Sequence, residues 1–203
     1  MGAARAERRG GWWGVAFVVT LFVAAAMASL PTSAKTGAQI SAFYRAHATV
    51  ILVQQVLGVL TLVFFLAFAR ALGAGRRRWL LVGTLLVAIS QLATTIPPLI
   101  LVLTNPSPDV AFALTVVEDL ADAALFMSIA VFSVAATIDQ VAWVQLSGLV
   151  VAALSVIRAA ASPFGITSLD FVAPLAFLAL ILILSVRLLL AAMPPRSTAA
   201  ANP

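Results

Sequence analysis

The feature that most constrains this chain is a series of six apolar stretches, each long enough to cross a bilayer as a helix. A helix spans the hydrocarbon core with about 20 consecutive apolar residues. Only 9% of the residues are charged and 63% are hydrophobic, whereas soluble domains are roughly 25% charged. The pattern therefore predicts an all-α, polytopic integral membrane helical bundle of six transmembrane helices, with spans at residues 12–30, 48–69, 80–103, 110–138, 143–161 and 171–192.

The connections between the apolar stretches leave no room for a second folded unit. The longest connection, residues 31–47, has the size of an ordinary long loop. We therefore expect residues 1–203 to form a single transmembrane domain.

Basic residues are distributed unevenly between the two sides of the membrane that these spans define. Lys and Arg near span ends favour the cytoplasmic side. Nine of the 12 basic residues fall on the side of the N- and C-termini, and the other three are Lys35, Arg45 and Arg158. The pattern predicts a multi-pass protein of the inner (plasma) membrane with cytoplasmic termini. The net charge of +5 then comes from basic residues that orient the spans in the membrane. It therefore gives no reason to expect a nucleic-acid partner.

A run of three arginines, Arg76, Arg77 and Arg78, fills the connection between the second and third spans. Basic clusters directly beside a transmembrane helix attract anionic lipids. We expect anionic lipids as the partner of this run, and the sequence indicates no particular protein partner.

The first apolar stretch has two interpretations. Arginines followed by an apolar segment and by Ala26-Met27-Ala28 also match a secretory signal with a cleavage site. Cleavage would leave five spans in the same orientation. The stretch has about the length of a membrane-spanning helix, which favours a retained first helix.

The fourth span contains three acidic residues, Glu118, Asp119 and Asp122. At 100° per residue, Glu118 and Asp122 are about 40° apart on a helix, and Asp119 lies within about 100° of Glu118. All three therefore share one helix face. A charge near the bilayer centre costs roughly 2.5–3.5 kcal/mol, so this face is expected to turn away from lipid.

Other polar residues are expected near the depth of these acids. If the fourth and fifth spans form an antiparallel hairpin, Asp122 is level with Arg158. In the hairpin of the third and fourth spans, Gln91 is level with Asp122. The polar layer predicted in this way contains the candidate binding residues Glu118, Asp119, Asp122, Arg158, Gln54, Gln55, Gln91 and Thr94.

Two functions fit a polar layer of this kind. In the first, the acids line an outward-facing cavity of a small-solute or proton/cation-coupled transporter or channel, because ion paths and proton relays need intramembrane carboxylates. In the second, the protein is a non-catalytic scaffold or accessory subunit. The acids then only pair and pack helices, with Asp122 and Arg158 as a buried pair and Glu118 and Asp119 close to the outer interface.

Enzymatic function and cofactors are not indicated. The chain has no G-x-S-x-G, H-E-x-x-H or phosphate-binding glycine motif. It has no cysteine and a single histidine, His47, which excludes a thiolate metal site and a bis-His haem within one chain. We expect no enzyme activity, no metal site and no cofactor.

Residues 38–71, AQISAFYRAHATVILVQQVLGVLTLVFFLAFARA, resemble an uncharacterised family of small six-helix bacterial membrane proteins of actinobacterial type, a domain of unknown function. The likeness continues through VEDLADAALF at 117–126 and LAFLALILILSVRLLL at 175–190. The resemblance implies six helices and no established activity, and it supplies no catalytic residues.

Overall fold

The structure is a computed structural model that describes residues 2–73, 75, 77–161 and 169–192, with only the backbone described for residues 2–7. Within these residues the chain forms helices and no strand. The seven helices are α1 (Gly2–Met27), α2 (Gly37–Ala46), α3 (Ala48–Ala71), α4 (Arg78–Thr104), α5 (Pro108–Thr137), α6 (Ala142–Ala161) and α7 (Val172–Ala191).

Six of these helices are long and apolar enough to span a membrane, which confirms the predicted fold class. All but the short α2 meet this condition, and in α1 the apolar segment begins at Arg8. The bounds differ from the predicted spans by a few residues. The exception is the start of α1, which begins at Gly2, whereas the predicted span began at residue 12; α1 ends at Met27, three residues before the predicted end.

Many large apolar side chains on these helices face outward. Val56 and Leu146, for example, are 68% and 63% exposed. Exposed apolar surface of this extent is typical of a lipid-facing bundle and incompatible with a monomeric soluble protein.

The short helix α2 lies in the connection that the sequence was expected to leave as a loop. Its start is a capping box, because the Thr36 hydroxyl accepts the Gln39 N–H at 3.3 Å and the Gln39 side chain accepts the Thr36 N–H at 3.0 Å. The buried face of α2, Ile40, Ser41 and Tyr44, packs mainly against α5. The T-x-x-Q pattern is visible in the sequence, so this helix was predictable.

The six long helices form a closed ring in the order α1, α3, α4, α5, α6, α7 and back to α1. Close approach depends on small residues: a Cβ on Gly83 of α4 would lie 2.8 Å from the Phe132 Cα of α5. Gly10 likewise brings the start of α1 against Ala71 of α3 and Leu188 of α7. The ring therefore has a common end that contains the beginning of α1 and the ends of α3 and α7.

Four phenylalanines fill the middle of the ring. Phe17 of α1 and Phe65 of α3 have ring centroids 5.5 Å apart, and Phe65 and Phe132 of α5 are 4.9 Å apart. Phe177 of α7 closes the set at 6.2 Å from Phe132 and 6.0 Å from Phe17. All four side chains are buried, so this phenylalanine quartet packs the axis of the bundle with aromatic surface.

Proline does not interrupt the third span. Pro97 and Pro98 lie inside α4, which continues to Thr104. The helix ends where Asn105 adopts a left-handed conformation with φ 45°, and Pro108 then occupies the first turn of α5.

Candidate functional site at the acidic end of the bundle

The two ends of the bundle carry opposite charge. The acidic end is defined by Glu118, Asp119, Asp122 and Asp170, and the arginine end by Arg8, Arg9, Arg70, Arg77, Arg78 and Arg187. All of the tryptophans lie near the arginine end, where interfacial aromatic residues are commonly found, and each is exposed: Trp12, Trp13, Trp79 and Trp143.

Arg158 of α6 is the centre of the acidic end. Its Nη2 donates to Oδ2 of Asp122 at 2.9 Å, as the hairpin register predicts. Its Nε lies 2.6 Å from Oδ1 of Asp170, and its guanidinium carbon lies 4.9 Å from the centre of the Phe126 ring. One guanidinium thus joins α5, α6 and the residue two positions before α7.

Asp170 is a site residue that the sequence analysis missed. It lies outside the apolar stretches, and antiparallel register alone does not predict its position. The sequence feature that could have indicated Asp170 is an acid directly before a span, on the same side of the membrane as the end of α6.

Glu118 contacts a residue of the short helix α2. The Tyr44 hydroxyl donates to Oε2 of Glu118 at 3.2 Å, and the Tyr44 side chain is buried. Burial, and secondly the charge of Glu118, raise the pKa of Tyr44 well above its usual value. Tyr44 therefore stays protonated and acts as the hydrogen-bond donor.

Asp119 holds the segment between α1 and α2. The backbone N–H of Ser33 donates to Oδ2 of Asp119 at 2.9 Å. Together with the Tyr44 contact, this bond attaches residues 28–46, which we call the cap, to α5. Ser33 and Tyr44 were not among the predicted site residues, because they lie in the connection that was expected to be a loop.

The charges at the acidic end do not balance. Arg158 pairs with two of the four carboxylates, while Glu118 and Asp119 contact only neutral donors. The four carboxylates and this one guanidinium together carry a formal charge of −3 if all four acids are ionised. Lys35 and Arg45 lie in the cap, yet within the described ranges neither has a carboxylate oxygen within 4 Å. Glu118 itself contacts only a neutral phenol among the hydrogen bonds and ion pairs described.

The depth of the acids follows from the length of α5. From Glu118 to Ile138 the 1.5 Å rise per residue gives about 30 Å, the thickness of the hydrocarbon core. With Ile138 at the level of the interfacial Trp79, Glu118 and Asp119 lie near the opposite edge of the core. Asp122 lies about 6 Å deeper.

The four remaining candidate residues do not join the acids. Gln54 donates its side-chain N–H to the Ala28 carbonyl at 3.1 Å and so holds the residue that follows α1. Gln55 is buried in α3 without a described hydrogen bond to an acid. Thr94 donates to the Gln91 carbonyl of its own helix at 2.8 Å, and the Gln91 amide lies beside Gly58 of α3.

The predicted level of Gln91 is wrong because the register of α4 and α5 differs from the assumed one. Ser90 and Ser128 are hydrogen-bonded at 3.1 Å, so Ser90 is level with a residue six positions beyond Asp122. The expectation assumed two straight helices paired residue by residue from their turn. The observed register of α4 and α5 departs from the assumed one between their turn and this serine pair. This is the part of α4 that contains Pro97 and Pro98 and contacts α2.

The described residues contain no group of three or more His, Cys, Asp or Glu arranged to hold a metal ion. His47 lies at the end of α2, stacks on Phe43 with ring centroids 4.4 Å apart, and is exposed. Its surroundings are those of an interfacial side chain.

At the arginine end, Arg77 of the predicted lipid-binding run has two described contacts. Its Nη2 forms an ion pair with Oδ2 of Asp139 at 2.7 Å and donates a hydrogen bond to the Ala135 carbonyl at 3.0 Å. Arg78 is exposed in the first turn of α4. Arg76 lies outside the described residues.

Comparisons of the chain with protein-family models, with curated proteins and with solved structures found no match.

Proposed function

We propose that this multi-pass membrane protein is a proton-coupled transporter whose outward-facing acidic end binds a proton at Glu118. The observation that carries the proposal is the charge imbalance at the acidic end, where Arg158 pairs with Asp122 and Asp170 and none of the described ion pairs involves Glu118 or Asp119. The like charges of these two neighbouring acids therefore repel each other, and binding of one proton relieves that repulsion.

Glu118 is the acid best suited to this role. Asp122 is neutralised by Arg158 at 2.9 Å, and Asp119 accepts a backbone N–H at 2.9 Å. Glu118 accepts only the Tyr44 hydroxyl at the longer distance of 3.2 Å. The depth of Glu118, near one edge of the hydrocarbon core, supports access from the bulk solution on that side.

The orientation proposed for the protein follows the basic residues. The arginine end, with its exposed tryptophans, faces the cytoplasm, and the acidic end faces outward. The chain is proposed to act in the plasma membrane without enzymatic activity, with α1 retained as a packed member of the ring. Membership of the six-helix bacterial family is part of this proposal.

In the proposed transporter, the phenylalanine quartet is the barrier to a solute. The four buried rings close the axis of the bundle to a solute in this conformation. Transport then requires the helices of the quartet to exchange between two packings, with the proton at Glu118 favouring one of them.

Proton flux in proteoliposomes tests this function. We expect the parent protein to show flux that depends on the external pH, and Glu118→Gln to lose it while still folding. Asp109→Asn is the matched control, because Asp109 is an exposed acid in the first turn of the same helix. Absence of flux in the parent, or unchanged flux in Glu118→Gln, contradicts the proposal.

A second candidate function is a scaffold or accessory subunit without transport. The observation that favours it is that Glu118, Asp119 and Asp122 each have a hydrogen-bond partner within the chain. On this account the acids fasten the cap to the bundle. Glu118→Gln would then leave every flux measurement at the background of empty vesicles and would change only the stability of the protein.

A further inference from the structure

A cavity of about 700 Å³ opens on the side of the bundle at the arginine end, away from the acidic end. Its walls come from the first turn of α4, the second half of α5 and the middle of α6. The apolar walls include Met127, Val131, Val134, Ile138, Ala152 and Val156. We call this cavity the lateral groove.

The lateral groove is open toward the lipid. Met127, Val131 and Val156 are exposed on its walls, and no part of the cap reaches it, because the cap lies at the other end of the bundle. The alanines Ala130, Ala135 and Ala152 have side chains too small to fill the space between the helices. A ligand would therefore enter sideways from the bilayer.

The dimensions match one leaflet of a membrane. From Asp139 at the mouth to Met127 at the far end, the groove follows α5 for 12 residues, which is about 18 Å. Half of a hydrocarbon core of about 30 Å is about 15 Å. An acyl chain that begins at the surface would run along the groove to about the middle of the membrane.

The mouth of the groove carries two arginines and one aspartate, and so a net positive charge. Arg77, Arg78 and Trp79 line it on one side and Asp139 on the other. Both described contacts of the Arg77 guanidinium, with Asp139 and with the Ala135 carbonyl, use the same nitrogen, Nη2. The N–H groups on its other nitrogens take no part in these two contacts and can bind a ligand. Arg78 is exposed beside it, and an arginine pair with free donors matches the oxygens of a phosphate group.

We propose that the lateral groove binds one anionic phospholipid of the adjacent leaflet, with its phosphate at Arg77 and Arg78 and one acyl chain along α5. Charge at the mouth selects the headgroup, and the apolar walls hold the chain. This site is independent of the proton-binding function proposed for Glu118, because it lies at the opposite end of the molecule.

Native mass spectrometry of the detergent-purified full chain tests the site with phosphatidylglycerol and phosphatidylcholine as probes. We expect one bound phosphatidylglycerol and weaker binding of phosphatidylcholine. Arg78→Gln should lower the affinity for phosphatidylglycerol about fivefold, the effect of one basic residue near a charged membrane surface. Arg187→Gln, which removes a basic residue at the same end outside the groove, should leave it unchanged.

Two further variants test the contribution of the groove to lipid binding separately from that of the surface charge. Val131→Trp fills the groove without changing any charge and should abolish binding of phosphatidylglycerol, and Val156→Trp should do the same from α6. Val186→Trp, at an exposed apolar position on α7, is the control. Equal binding of the two lipids, or binding unaffected by both groove variants, overturns the proposal.

Discussion

Each end of the bundle contains an arginine that pairs with aspartate, and the surroundings of the two arginines differ. Arg77 and Asp139 at the arginine end are 2.7 Å apart with side chains 27% and 71% exposed. Arg158 and Asp122 at the acidic end are 2.9 Å apart with side chains 13% and 34% exposed. The distances are similar, yet only the second pair lies among helices, contacts a second aspartate and packs on an aromatic ring.

The difference shows at which end of the bundle an ion pair contributes more to the stability of the fold. Exposed ion pairs contribute about 0–1 kcal/mol, because water already solvates both partners. Removal of one partner of a buried pair costs about 3–5 kcal/mol, because the other charge stays buried without compensation. We therefore expect substitutions at the acidic end to disturb the whole fold, and substitutions at the arginine end to act locally.

The largest effect is expected from Arg158→Leu. This change leaves both Asp122 and Asp170 without their cation. Because these carboxylates are 34% and 36% exposed, we expect a loss of about 2 kcal/mol in the free energy of unfolding, below the cost for a fully buried pair, measured by denaturation in detergent. Arg45→Leu, which removes an exposed arginine of the cap, serves as the control and should change the free energy by less than about 0.5 kcal/mol.

The same variant tests whether Asp170 belongs to the network. Adding Asp122→Asn to Arg158→Leu should restore only part of the lost stability, because Asp170 is still unpaired. Adding Asp170→Asn as well should restore most of it. Full recovery with Asp122→Asn alone would mean that the Asp170 contact contributes nothing.

A smaller effect is expected from Tyr44→Phe. The change removes the hydroxyl that donates to Glu118 at 3.2 Å and keeps the buried ring, so we expect a loss of about 1.5 kcal/mol. Hydrogen exchange in α2 should increase more than exchange in α3, because the bond attaches the cap. The effect should be absent in a Glu118→Leu background, and an undiminished effect there would show that Tyr44 acts through another contact.

The smallest effect is expected from Asp139→Asn at the arginine end. It breaks the exposed pair with Arg77 and should lower the free energy of unfolding by about 0.5 kcal/mol or less. A loss of stability as large as that of Arg158→Leu would show that ion pairs at the two ends contribute equally to the fold.

The membrane fold could be predicted from the sequence because hydropathy and length are local properties. Apolar runs of about 20 residues have essentially one solution in a bilayer, a helix with its backbone hydrogen bonds made internally. The pair of Asp122 and Arg158 could also be predicted, since α5 and α6 are joined by a short turn that restricts their register.

The remaining contacts of the site depend on long-range packing. Ser33 and Asp119 are separated by 86 residues, and no periodicity relates a loop N–H to a helix carboxylate. The register of α4 and α5 was predicted incorrectly, as the Ser90–Ser128 bond shows, because residue counting does not include the offset beside the cap. Gln54 and Thr94 were grouped with the acids by depth alone, and their hydrogen bonds are instead to backbone carbonyls.

Infrared spectroscopy of the reconstituted protein tests the central claim, proton binding at Glu118, most directly. The C=O stretch of a protonated carboxylic acid is separate from the bands of a carboxylate, so the spectrum can be followed as the pH falls. The chain has seven acidic side chains, and each contributes to the C=O absorption once it is protonated. We expect one component of this absorption to grow in the parent protein and in Asp109→Asn and to be missing in Glu118→Gln. The same set of components in Glu118→Gln as in the parent, or no C=O absorption in the parent at any pH at which the protein is folded, would contradict the account.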